Sequence, residues 1–129
     1  MTITKVALGI LAGLLVIPNA AAAPLPSLKG ETYDQARAQV IKLGFRPIRF
    51  VRTEDGCLLD KTCKRYPELV GCSTSRPTLC QFAFVDGNRQ KYVLIATRGE
   101  PRRVDKITFP TRHDRQGWPL IKSERSGSH

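Results

Sequence analysis

Histidine is scarce in this chain: two residues, His113 and His129, among 129. No G-x-S-x-G, H-E-x-x-H, C-x-x-C or phosphate-cradling glycine loop occurs either. These gaps leave out the usual nucleophile–base pairs, metalloprotease sites and dithiol redox centres. His113-Asp114 is the one adjacent base and carboxylate, but neighbouring side chains rarely converge and the surrounding segment lacks a core pattern to hold them. Glu31 with Asp34 is explained by a helix N-terminus, and Glu54 with Asp55 by a turn. The sequence is therefore read as non-catalytic, with no cofactor and no metal.

Acids are few as well. Twenty-one Lys and Arg stand against eleven Asp and Glu, giving a net charge of +10. The bases are clustered: Ala36–Arg65 holds eight against three acids, and Arg89–Arg125 holds ten against four. Charge of this kind governs solubility and the choice of partner, not the fold. The length accommodates one domain with tails and excludes a separate cofactor domain.

Long apolar runs are absent apart from one near the start. Lys5, the twelve-residue stretch Val6–Ile17, the break at Pro18-Asn19 and the small residues Ala20–Ala23 have the order of a secretory signal. Twelve residues rise only about 18 Å as a helix, short of the roughly 30 Å hydrocarbon core. Residues 1–22 are thus expected to be a signal peptide and not a transmembrane anchor. Cleavage after Ala22 avoids Pro24 at the scissile bond, and loss of Lys5 lowers the charge to +9. The mature chain is expected to be periplasmic or secreted.

Four cysteines follow: Cys57, Cys63, Cys72 and Cys80, separated by five, eight and seven residues. Structural zinc sites use pairs two to four residues apart, so none of these gaps suits a metal. An even count in an exported chain points to two disulfides, and three pairings are open. Short loops close at low entropic cost, which favours Cys57–Cys63 with Cys72–Cys80; crossed and nested patterns stay open at this level.

The element pattern begins with a helix over Tyr33–Leu43. Thr32 is its N-cap, with Gln35 completing a capping box, and Asp34 complements the helix dipole. Tyr33, Ala36, Val40 and Leu43 form one apolar stripe, and Gly44 is the left-handed residue past the end. Phe45–Thr53 reads as a strand, with Ile48 and Phe50 facing the helix and Arg49 and Val51 facing away. Glu54–Ser75 is expected to be mostly loop, with Tyr66, Leu69 and Val70 as a satellite cluster. Leu79–Val85 and Gln90–Thr97 flank Asp86-Gly87-Asn88-Arg89 as a hairpin, its turn relying on Gly and Asn for positive φ. Cys80, Phe82 and Phe84 share a face, and Val93 and Ile95 oppose them. Arg103–Phe109 supplies a further strand. The fold class is α+β: one amphipathic helix on a small antiparallel sheet of three to four strands, with two disulfides. Residues 23–109 form the domain, and residues 110–129 are expected to be a basic, disordered tail.

The stretch Pro26–Pro47, with Pro26, Gly30, Thr32, Ala36, Leu43, Gly44 and Phe45 in sequence, resembles the opening of PASTA domains. That resemblance implies an extracytoplasmic, non-catalytic module that binds cell-wall fragments. The cysteine-bridged loop and basic tail depart from it.

Candidate binding residues are Arg46, Arg49 and Arg52 along the first strand, with Arg89 and Lys91 beside the hairpin turn. Arginine suits bidentate contact with phosphate or carboxylate. Outside the cytoplasm such groups belong to anionic envelope polymers and lipid headgroups; the export signal sets nucleic acid aside. A second class of partner is another envelope protein, met by the bridged Cys57–Cys80 region acting as an inhibitor or immunity-type wedge. Trp118-Pro119-Leu120-Ile121 is an apolar island that could dock or touch a membrane interface. The chain recovered from its host is expected to begin at Ala23 and to show no reactive thiol before reduction. Intact mass and thiol titration in denaturant check both.

Overall fold

A computed structural model describes residues 25–52 and 61–122. The expected signal peptide, Cys57, the Glu54-Asp55 pair and the last seven residues lie outside these stretches.

The helix α1 spans Tyr33–Lys42 and begins as the sequence predicts. Thr32 Oγ1 accepts the Gln35 N–H at 3.3 Å, and Gln35 Oε1 accepts the Thr32 N–H at 3.2 Å. These reciprocal bonds satisfy two of the donors that every helix start leaves unpaired. Leu43 caps the far end, and Gly44 takes φ 105°, a conformation that costs glycine little.

Five strands form one antiparallel sheet: β1 (Phe45–Pro47), β2 (Leu69–Cys72), β3 (Leu79–Asp86), β4 (Tyr92–Arg98) and β5 (Arg103–Thr108). Their order is β1-β3-β4-β5, with β2 also paired to β3. A single helical turn, α2 (Thr62–Arg65), precedes β2, and a 3-10 turn follows β5 at Asp114–Gly117. The observed class is α+β, with five strands where three to four were expected.

The sheet has a core on each face. On one, Tyr33, Ala36 and Val40 of α1 meet Phe45, Phe82, Phe84, Val93, Ile95 and Val104. The hairpin register places Phe82 opposite Ile95 and Phe84 opposite Val93, as the alternation in the sequence implies. The Tyr33 ring stacks on Phe82 at 3.8 Å, and Tyr66 meets both edge-on. On the other face, Ile48, Phe50, Ala83 and Val85 form a second cluster, with Val70, Tyr92, Leu94 and Trp118 packed against it.

One buried charge ties these layers together. Glu68 is fully buried; its Oε2 accepts the Tyr33 hydroxyl at 2.6 Å and Arg37 Nε at 2.7 Å. Burial and the adjacent carboxylate push the Tyr33 phenol well above its ordinary range, and the Glu68 hydrogen bond raises the Arg37 guanidinium. Beside this clamp, the Tyr66 hydroxyl donates to Asp34, and Arg65 pairs with the same carboxylate at 3.1 Å. The start of the helix is further held to β5, where Gly30 N–H donates to Val104 O and Val104 N–H donates to Glu31 O.

Several expectations are corrected. The strand predicted over Phe45–Thr53 stops at Pro47. Ile48 N–H still donates to Ala83 O, but the edge of β3 is taken beyond that point, since Ala83 N–H donates to Glu68 O and Leu69 pairs with Phe82. Ile48 and Phe50 pack on the face opposite the helix, not under it, because they alternate out of phase with Phe45, which faces the helix. Tyr66 and Leu69 belong to the main core, not to a satellite, while Val70 packs on the second cluster.

In the hairpin turn the left-handed residue is Arg89 (φ 57°), not Gly87 or Asn88. The Asp86 carboxylate accepts the Gln90 and Lys91 N–H groups and so fixes that geometry. Residues 110–122, expected to be disordered, lie ordered against the second cluster because Trp118 supplies the apolar anchor.

The predicted Cys72–Cys80 bridge is present and links directly opposed residues of β2 and β3. No cysteine among the described residues is free. The expected partner of Cys63, Cys57, lies outside them. Removing one member of a buried ion pair typically costs about 3 kcal/mol or more. Because the Arg37 left behind is 30% exposed, Glu68→Gln is expected to cost somewhat less, about 2 kcal/mol, lowering the urea midpoint by that free energy divided by an unchanged m-value, measured by equilibrium denaturation.

Candidate functional site

After Ile48, whose N–H still donates to Ala83 O, the chain leaves the sheet edge and runs across the second cluster. Phe50 turns inward and is almost fully buried. Opposite it lies Ile121, in an isolated antiparallel bridge. Two hydrogen bonds of 2.7 Å fix this pairing, from Val51 N–H to Leu120 O and from Lys122 N–H to Arg49 O. Trp118 secures the returning segment by edge contacts with Phe50 (5.8 Å) and Tyr92 (6.2 Å), and Arg115 lies 3.8 Å over the Tyr92 ring.

The bridge dictates which side chains point outward. Side chains alternate along paired extended segments, and directly opposed residues share a face. With Phe50 inward, Arg49 and Lys122 form one outward pair, and Val51 and Leu120 form the next. Val51 is 51% exposed and Leu120 is 79% exposed. Neither the Arg49 nor the Lys122 side chain has an acidic partner among the described residues. Like charges set directly across a strand pair are mildly unfavourable. A small cavity of about 90 Å³ opens beside them, lined by Pro47, Ile48, Val85, Tyr92 and Ile121 together with Arg49, Arg89 and Lys122. Among the described residues, three cations and no acid line it.

The sequence-predicted residues divide between two regions. Arg49 and Arg89 come together at this cavity, and Arg46 adjoins it in β1 opposite Val85. Arg52 is turned towards Phe50, its guanidinium 5.8 Å from the ring. Its Nε and Nη2 are buried without hydrogen-bond partners among the described residues, and burial lowers its pKa.

Lys91 lies 4.9 Å over the ring of Phe109, which lines a separate open groove with Leu25–Lys29 and β5. It does not join Arg49. The expectation that Arg46, Arg49 and Arg52 lie along one strand is corrected with the strand itself: only Arg46 lies in β1, and side chains three apart would alternate out of phase. Lys122 was missed, being assigned to the disordered tail. The available signal was the apolar run Trp118–Ile121 immediately before it.

The remaining clusters have local explanations. Asp114 accepts the Thr111 N–H at 2.8 Å and the Thr111 hydroxyl at 2.9 Å, bonds that hold its pKa down, so it braces the 3-10 turn rather than orienting His113. Among the described residues, no group of three or more His, Cys, Asp or Glu is placed to hold a metal, and no helix is long and apolar enough to cross a membrane. No protein-family model matches the chain, and no curated protein or solved structure does.

The half-buried Trp118 joins the returning segment to the sheet. Trp118→Ala is expected to cost about 2 kcal/mol, below the roughly 3–5 kcal/mol of a fully buried aromatic. It should also release the Val51 and Lys122 amides to fast hydrogen exchange while leaving β3 and β4 protected.

Proposed function

We propose that the chain is an exported, non-catalytic binding module of the cell envelope. It contacts an anionic polymer or lipid surface through Arg49, Lys122 and Arg89, with Arg46 alongside. The observation that carries this reading is the Arg49–Lys122 cross-strand pair: two cations held side by side, without an acidic partner among the described residues, at a cavity that Arg89 also lines. An anion seated between them relieves their repulsion, so binding and local stability are linked.

The Cys72–Cys80 bridge supports an oxidising compartment, as does the likeness of Pro26–Pro47 to a PASTA opening. A second disulfide, Cys57–Cys63, completes the reading and accords with the absence of free cysteine among the described residues.

An alternative is a small secreted inhibitor or immunity-type partner of another envelope protein. Its support is the exposed loop over Ser73–Pro77, closed at its base by the Cys72–Cys80 bridge.

Lys122→Gln separates binding from folding. It is expected to raise stability by a few tenths of a kcal/mol in anion-free buffer. It should weaken binding to soluble polyphosphate about five-fold, the effect of roughly 1 kcal/mol per cation at an anionic surface. Denaturation and titration calorimetry read the two effects. Capture from envelope extract with a salt gradient tests the partner class: glycan or lipid released at modest salt supports the proposal. A single stoichiometric protein retained at high salt overturns it in favour of the alternative.

A further inference from the structure

Resting on that reading, we infer that the anionic partner is the surface of a lipid bilayer, with Leu120 and Val51 entering the headgroup region beneath the cations. A soluble anionic polymer is satisfied by charge alone. This face offers more than charge: the outward pair after Arg49–Lys122 is Val51–Leu120. Cations and aliphatic side chains are thus adjacent on one rigidly paired segment. Leu120 is the most exposed large hydrophobic residue among those described. A folded chain gains nothing in water from such exposure, whereas an anionic interface satisfies both halves of the face.

The geometry suits shallow insertion. The two hydrogen bonds of the bridge occupy backbone groups of Arg49, Val51, Leu120 and Lys122, so the tip carries part of its hydrogen bonding with it. Trp118 lies two residues from Leu120 and packs against Tyr92, an amphipathic pair directly behind the tip.

The experiment uses the chain as recovered after export and its Leu120→Ser/Val51→Ser variant. Both substituted positions are exposed, and circular dichroism verifies the fold. Vesicles are phosphatidylcholine with or without phosphatidylglycerol; soluble polyphosphate is the charge-only probe. The native chain is expected to sediment with phosphatidylglycerol vesicles and not with phosphatidylcholine alone. The variant should lose roughly tenfold or more of that vesicle affinity while keeping its polyphosphate affinity.

Lipids brominated near the headgroup should quench Trp118, the one tryptophan, in the native complex and not in the variant mixture. Equal vesicle binding by native and variant chains overturns insertion and leaves cation-driven adhesion standing. Polyphosphate binding without vesicle binding does the same. Failure to bind either probe overturns both readings.

Discussion

Glu68 is the residue on which the arrangement turns. Its carboxylate, wholly withdrawn from water, is stable there because Tyr33 and Arg37 of α1 supply donors to it. Its carbonyl oxygen meanwhile accepts the Ala83 N–H of β3. A single residue thereby fastens the helix to the loop before β2 and takes a position on the β3 edge that β1 would otherwise extend along. Because that edge is occupied, the chain after Ile48 leaves it and crosses the second cluster. There Phe50 finds Trp118, and the outward pairs Arg49–Lys122 and Val51–Leu120 are created. The surface proposed for adhesion is thus tied to the residue that clamps the helix, through its backbone carbonyl on β3.

Much of the fold is legible in the sequence where short-range chemistry decides it. Thr32 with Gln35, the 3-4-3 spacing of Tyr33, Ala36, Val40 and Leu43, and Gly44 after them each act within a turn or two of themselves. The hairpin is equally local, since alternation alone sets Phe82 and Phe84 across from Ile95 and Val93. The first strand is different. Phe45–Thr53 has the composition of a long strand, but its length is set by competition with Glu68 and Leu69 for one edge. That competition involves residues about twenty positions away, and no window on the sequence contains it. The turn shows the same limit in miniature: Asp86, not Gly87, governs its shape, and the left-handed conformation falls on Arg89.

The candidate site is half legible. Arg49 and Arg89 stand out as basic residues near the strand and turn, and they do converge. Arg52 and Lys91 look alike in one dimension, yet the first is drawn onto Phe50 and the second onto Phe109 on a different groove. Lys122 was hidden by composition: a tail rich in Arg, Ser, Gly and Pro reads as unstructured, and a few apolar residues outweigh that average when a ready-made cluster awaits them. Trp118 is the residue that reverses the reading, because one half-buried indole against Phe50 and Tyr92 offsets the ordering of a short segment.

The pairing of residues 49–51 with residues 120–122 also has a temporal meaning. The helix, hairpin and clamp lie within residues 32–98, whereas the Phe50–Ile121 bridge spans 71 positions of sequence and uses almost the last described residues. A nascent polypeptide can assemble its main body while the adhesive tip is still missing a strand partner. Competence of that surface therefore waits on residues 118–122, which follow every residue of the main body. A product clipped ahead of Trp118 would keep its scaffold and lose its grip.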